Sequence, residues 1–470
     1  MKSRYLQGLF FGLLALFLWL PLPSGSKPVW ASGLLSFLVY FLSIFLLLAI
    51  GLGKVKPTPA LKQAQWFHVC FVVICCWVAL QFIPLPSTWV QALSPQIWEI
   101  HANAASSLGN PLPEAMTFSL DVFATRLSFL LTLAYYLLFC LVLLLVDNRD
   151  RLNTFAWVIV ISGTFQAVFG SLSTLSGMEV LLFVEKEFYR GVATGTFVNR
   201  NSFAGYLEMS LAIGVGLLIA RLGNSGSSGW KEWFRQALET LMSNKVLLRS
   251  ALAIMVIGLV MSRSRMGNTA FFSSLMLSGL LYVILRRQLT RGMMFLFASM
   301  IVIDIAIVSQ WFGIDQVVER LEQTSMERES RPNVAAITLD MVREHSLTGT
   351  GGGTYYTALP AHHDGSWKGF YDLAHIDFLQ FPLEFGVPAF LLMALMVLMA
   401  AWHATQAMRL RKDKLMAGMG FAAFMGILAI MIHSSVDFNL QIPANAALFV
   451  SLMAVALIAR YMPVESRKRR

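Results

Sequence analysis

Hydrophobic positions in this chain run on in blocks rather than alternating with polar ones. The blocks are about 20 residues long, enough to cross ~30 Å of hydrocarbon as helix. They fall near 5–23, 29–52, 66–84, 123–146, 152–175, 202–221, 250–263, 268–286, 292–312, 376–402, 416–433 and 442–460, which predicts about twelve spans. The seventh block is short, so eleven or thirteen spans also fit. No strand-length alternation marks a barrel, and the expected fold class is an all-α polytopic membrane protein forming one membrane domain over 1–470.

Composition agrees with that pattern. With 57% hydrophobic and 13% charged residues and a mean hydropathy of +0.64, the 470-residue chain has too few charges to coat a water-soluble globule. Cys70, Cys75, Cys76 and Cys140 all lie inside apolar blocks, without metal-ligand spacing, and read as packing residues. The start, with Lys2 and Arg4 before an apolar stretch, resembles a signal peptide. Pro21-Leu-Pro-Ser stands where a cleavage site would be expected, so the segment reads as a retained first span.

Charge sets the orientation. Placing both termini in the cytoplasm puts 24 of the 36 Lys and Arg on that side but only 6 of the 26 Asp and Glu. Cytoplasmic anchors such as Arg409-Leu-Arg-Lys-Asp-Lys414 and Arg467-Lys-Arg-Arg470 then explain the net charge of +10, and no nucleic-acid partner is needed. Residues 222–249 read as a cytoplasmic linker, flexible at Gly223–Gly229 and amphipathic over 230–243. Two external segments are long: 85–122, with Trp89 and Trp98, suits a position along the membrane surface, and 313–375 is expected to be a large loop containing short helices.

Arg200, Arg263, Arg265 and Arg331 break the charge rule by lying outside. Each taken alone could be a snorkelling or salt-bridged arginine. Three of them also sit where helix starts are predicted. Arg200 lies beside Asn201 and Ser202, Arg265 precedes Gly267-Asn-Thr269, and Arg331 precedes Pro332, after which Val334, Ile337 and Met341 repeat at helical spacing. Helix starts and guanidinium forks on one face of the membrane can converge on a phosphate or pyrophosphate, and a membrane enzyme's natural substrate of that kind is a lipid.

Leu347-Thr-Gly-Thr-Gly-Gly-Gly-Thr-Tyr355 is too glycine-rich for helix. Gly349, Gly351 and Gly353, with Tyr355, form a candidate substrate loop; the alternative is a mobile turn, and the Lys-Ser/Thr ending of a nucleotide-binding loop is missing. Asp372-Leu-Ala-His375-Ile-Asp377 then places an imidazole and a carboxylate at the external mouth of the tenth span. His375 reads as a general base oriented by a carboxylate, or as a hydrogen-bonded structural histidine. His362, His363, Asp364 and Asp372 offer metal-type ligands, but their spacing matches no standard zinc pattern, and no metal or other cofactor is expected. His433 and Asp437 could line the same cavity or cap the last two spans.

These residues resemble the O-antigen ligase and polymerase superfamily of bacterial envelope glycan assembly. The carriers are Gly195-Thr-Phe-Val-Asn-Arg-Asn-Ser-Phe-Ala-Gly205, Ser262-Arg-Ser-Arg-Met-Gly267, Arg331 leading to Leu347-Thr-Gly-Thr-Gly-Gly-Gly353, and Ala374-His-Ile-Asp-Phe-Leu-Gln380 with Glu384-Phe-Gly386. The resemblance implies twelve spans, a large periplasmic loop before the tenth, and a place in the bacterial inner membrane. It implies transfer of a glycan from undecaprenyl pyrophosphate to an acceptor sugar hydroxyl, on lipid A core for a ligase or on another repeat unit for a polymerase. By the same resemblance, Arg265 matches the arginine of the Ser-Arg-x-Gly motif, Arg331 the loop arginine, His375 the essential histidine and Arg200 a further basic residue. The family's His-Asn-Asp reads His375-Ile-Asp377 here, so the asparagine is missing. The rival expectation is a transporter or flippase of lipid-linked glycan, with Glu208 and Asp304 on its path, although no repeat relates the two halves.

Overall fold

The computed structural model describes residues 4–182, 184–221, 244–286, 325–363 and 371–463. Among these, nine helices are long and apolar enough to cross a membrane: α2 (Val29–Gly51), α3 (Gln65–Phe82), α6 (Val122–Leu145), α7 (Arg149–Leu175), α8 (Arg200–Arg221), α10 (Arg265–Arg286), α13 (Val387–Leu410), α14 (Lys414–His433) and α15 (Pro443–Tyr461). Two shorter apolar helices are α1 (Arg4–Trp19) and α9 (Asn244–Met261). Outside the spans lie α4 (Ser87–Leu93), α5 (Pro95–Ser107), α11 (Ser325–Glu344) and α12 (Asp377–Phe385). The only extended pairings among the described residues are two antiparallel ladders, Leu85–Pro86 with Ala115–Met116 and Val180–Leu181 with Val184–Glu185.

The helices start where the sequence supplies caps. Asp121 accepts the Ala124 amide at the head of α6, Asn148 the Arg151 amide at α7, and Asp413 the Leu415 and Met416 amides at α14. Proline takes an early position in α13 and α15, where its missing N–H costs nothing.

Burial separates the helices into a centre and a rim. About nine-tenths of α8 (94%) and α15 (89%) is buried inside the protein, against 22% of α13, so α8, α14 and α15 form the axis and α13 turns most of its surface to lipid. Small residues make the axis possible. A Cβ on Gly216 of α8 would run into the carbonyl oxygen of Gly418 on α14, and one on Gly418 into that of Gly216, so the two backbones touch there.

The bundle has two chemically distinct ends. At one, basic residues tie short turns together: Arg149 pairs with Asp413, Arg151 with Asp147 at 3.3 Å, Arg286 donates to the Arg411 carbonyl at 2.5 Å and Arg411 to that of Arg460 at 3.3 Å. At the other, the long connections meet. Thr196 donates to the Pro21 carbonyl at 2.6 Å, Lys27 pairs with Asp372 at 3.0 Å, and the amides of Leu120 and Ala193 reach the carbonyls of Thr350 and Met261.

Several expected boundaries change. The block 376–402 is two helices, because Gly386 adopts φ +80° between α12 and α13, and α12 buries Asp377, Gln380 and Glu384 against protein rather than lipid. The first span stops at Trp19, ahead of Pro21 and Pro23. Arg331 does not begin a helix: α11 starts at Ser325 and contains Pro332 about two turns in, where the ring removes one internal hydrogen bond. The segment 313–375 therefore carries a 20-residue helix as well as the single turns Tyr355–Ala358 and Leu359–His362. The linker expected over 222–249 is shorter than that, because its last six residues, 244–249, already belong to α9. The expected span 292–312, Asp304, residues 222–243 of the linker, the parts 313–324 and 364–370 of the long loop, and the side chain of Arg331 lie outside the described residues.

Candidate functional site

His375 stands just ahead of α12 with φ +56°, a left-handed conformation that a residue with a Cβ holds only when its surroundings impose it. The surroundings come from the connection between α14 and α15. The Asp377 amide donates to the carbonyls of Ser434 and Asp437, both at 3.1 Å, and Asp377 Oδ2 accepts from the Ser434 hydroxyl at 2.7 Å and the Leu440 amide at 3.0 Å. The Phe438 ring meets the His375 imidazole edge-on at 4.7 Å between centroids, and Tyr371 does so at 5.9 Å. The imidazole is half-buried, whereas Asp377 is fully buried. Burial pushes the Asp377 carboxyl up to about 7, outweighing the hydrogen bonds from Leu440 and Ser434. Asp377 thus anchors the loop that shapes the histidine's position.

The same loop reaches the arginine helices. Asp437 accepts a short hydrogen bond from Asn201, the residue after Arg200, and α8 begins at Arg200 itself. The Arg200 guanidinium lies over the Tyr189 ring at 5.5 Å, and its buried Nε has no hydrogen-bond partner among the described residues. Arg265 is the first residue of α10, as expected, and is exposed. Two residues on, Gly267 packs so closely on α8 that a Cβ would lie 2.6 Å from Ala204 and 3.2 Å from Glu208 Oε1. Arg263 has φ +52° in the link between α9 and α10. Arg200, Arg265 and His375 therefore share one end of the bundle, on elements that touch.

The glycine stretch is placed differently from expectation, because its close approach is to the protein itself. Gly351 (φ +103°) is buried where a Cβ would fall 2.6 Å from Thr125 Oγ1 and 2.7 Å from Ser119 Oγ. Its amides are already engaged: Thr350 and Gly351 donate to the carbonyls of Leu383 and Glu384, Gly353 to Glu384 Oε2 at 2.9 Å, and Tyr355 to Glu384 Oε1 at 3.4 Å. Gln81, buried at the end of α3, donates to the carbonyls of Thr348 and Glu384, both at 2.8 Å. Gly349, with φ +68°, packs against the α12–α13 break. The Tyr355 hydroxyl is buried 3.0 Å from Thr338 Oγ1, and burial raises its pKa to about 12. Gly349, Gly351 and Tyr355 are buried, and they and Gly353 build the seat of α12; of these four, Gly353 alone is exposed.

Glu384 gives that seat a pH dependence. Burial pushes its carboxyl up to about 7 despite the Gly353, Gln380 and Tyr355 donors, so the folded state keeps a proton that the unfolded chain releases near its ordinary value, about 4.3. Stability should therefore fall as pH rises from about 4 to about 7 and level off above. Melting curves in detergent across that range should show this fall, and Glu384→Gln should flatten it.

Lys27, which sequence reasoning passed over, pairs with Asp372 and sits 5.8 Å from the centre of the Phe438 ring, the ring that also meets His375. A lysine in a short loop between two apolar blocks carries no signal of such a contact. His362 lies 3.2 Å from Glu344, so it and Asp372 are engaged elsewhere, and no group of three or more His, Cys, Asp or Glu among the described residues is arranged to hold a metal. The cysteines are free.

Comparison with known proteins follows the same residues. No curated protein matches the chain. A family model matches residues 250–394, a stretch that takes in Arg265, Arg331, the glycine stretch, His375, Asp377 and Glu384 but neither Arg200 nor the α14–α15 loop. That model is described as O-antigen ligase, and the match supports the resemblance to the O-antigen ligase and polymerase superfamily, with a glycan-transferring role in polysaccharide assembly.

Proposed function

We propose that the protein transfers a glycan from undecaprenyl pyrophosphate to an acceptor sugar hydroxyl, in O-antigen or exopolysaccharide polymerisation or in ligation to lipid A core. The reaction would take place on the periplasmic face of the bacterial inner membrane, with both termini in the cytoplasm. The observation that carries this reading is the meeting of the His375 loop with the arginine-bearing start of α8 through Asp437 and Asn201, at the bundle end opposite the basic turns.

In the proposed step the acceptor oxygen attacks the donor's anomeric carbon, and the bond from that carbon to phosphate oxygen breaks. The lipid pyrophosphate departs with the bonding electrons, while His375 takes the acceptor's proton. Attack opposite the leaving group inverts the anomeric centre. Arg200, Arg265 and Arg331 hold the pyrophosphate and stabilise the charge that grows on it. A lipid pyrophosphate is itself an activated leaving group, so the scheme needs no cofactor. The glycine stretch enters only indirectly, by seating the helix that His375 precedes.

Purified protein incubated with lipid-linked donor and acceptor tests the reading. A new glycosidic bond supports transfer; movement of intact donor between leaflets with no new bond would establish the flippase instead. Arg265→Ala should lower kcat/KM for the donor by about 10²-fold, the scale of losing one charge-stabilising donor. Arg265→Lys should recover only part of it, because an ammonium lacks the planar fork. Initial rates against donor concentration give both numbers.

A further inference from the structure

Glu208 and His433 have no role in the transfer scheme, yet both are fully buried and Glu208 Oε1 lies 2.7 Å from His433 Nδ1. One side chain belongs to α8 and the other ends α14, inside a bundle where an ionisable pair is costly to keep. Asp437 and Asp377 act on this pair electrostatically from the neighbouring loop and from α12.

Three connections leave the pair, toward Arg200, Arg265 and His375. Glu208 is on the helix that starts with Arg200. Gly267 packs against Glu208 two residues after Arg265. His433 directly precedes Ser434, whose carbonyl and hydroxyl hold the amide and carboxylate of Asp377, two residues from His375. Asn439 and Asn445 complete the junction: Asn445 donates to the Ser202 carbonyl at 2.9 Å and to Asn439 Oδ1 at 3.1 Å, and Asn439 lies where Gly205 leaves room for it.

We propose that Glu208 and His433 are a positioning pair, whose hydrogen bond fixes the register between the helices that start with Arg200 and Arg265 and the loop that holds His375. Its kinetic consequence rests on the transfer reading; its structural consequence does not. A displacement of 1 Å between base and donor can cost about 10²-fold in rate, so the length of the Glu208 side chain matters.

The test uses the full-length protein in detergent with Glu208→Asp, Glu208→Ala and Glu208→Gln. Two measurements are made: transfer kinetics, and the His375 imidazole resonance in histidine-labelled protein, assigned by its loss in His375→Asn. The shortened carboxylate of Glu208→Asp should shift the resonance and lower kcat more than about tenfold, with the acceptor KM little changed. Glu208→Gln, which keeps the reach and a hydrogen bond to His433, should restore most of both. Glu208→Ala should resemble Glu208→Asp if it folds; if it does not, Glu208→Asp decides. An unmoved resonance with unchanged kcat in a folded Glu208→Asp would overturn the proposal, and so would a loss in Glu208→Gln as deep as in Glu208→Asp. A resonance that moves in a protein making no glycosidic bond would instead keep the positioning role and remove the transfer reading.

Discussion

Replacing His375 by asparagine should reduce glycan transfer by about 10²- to 10⁴-fold, the usual contribution of a well-placed general base, and leave the protein folded. Asparagine is the informative choice because the position has φ +56°, where Asn is tolerated better than most residues, and alanine would mix lost chemistry with backbone strain. The imidazole is half-buried, so trimming it opens no cavity in the core. Binding of the lipid pyrophosphate should survive, since that contact is assigned to the arginines. Product formation measured alongside a melting curve separates the two effects, and transfer at the wild-type rate in His375→Asn would exclude the imidazole as the base.

Asp377→Ala should be more damaging to the fold. It removes the acceptor for the Ser434 hydroxyl and the Leu440 amide in a fully buried place, and each abandoned donor costs about 1–3 kcal/mol. The loop that presents Phe438 to His375 would lose its anchor, so activity and melting temperature should fall together. Asp377→Asn keeps one acceptor oxygen and should recover part of both. A carboxylate needed mainly to orient the imidazole would behave differently: activity would collapse in Asp377→Asn while the melting temperature held. Parallel measurement of rate and Tm distinguishes these cases.

The spans were legible because lipid imposes one rule along an entire apolar block, and the blocks at 29–52, 123–146 and 202–221 reappear as α2, α6 and α8 within a residue or two. The division at Gly386 was hidden because α12 is also rich in apolar residues; Asp377 and Glu384 on its polar face are spent on distant partners that no local pattern reveals, Ser434 and Leu440 for the one and Gly353 and Tyr355 for the other. The starts of α8 and α10 were legible only to within two or three residues: Asn201, Ser202 and Gly267-Asn-Thr269 lie inside the helices, and the first-turn amides of Asn201 and Gly267 are accepted by Asn199 and Ser264 instead. Pro332 misled, since a proline favoured at a helix head can also sit inside one when packing compensates the missing hydrogen bond. The glycine stretch read as a candidate substrate loop, whereas the close approach seen at Gly349 and Gly351 is to Glu384, Gly386, Thr125 and Ser119, neighbours that no local pattern names. Glu208 was visible as a carboxylate in an apolar block, and its partner 225 positions away was not.

The paired glycines at 216 and 418 have a mechanical corollary. Where two backbones touch there is no side-chain cushion to compress, so α8 and α14 are joined by a hard stop at one level and by the Glu208–His433 clasp at another. Two such fastenings make the helices a single stiff strut, unable to slide or scissor without breaking one of them. Any widening that admits a bulky lipid must then come from the elements leaning on that strut, and a bulkier residue at Gly216 or Gly418 would act as a wedge felt at the far end.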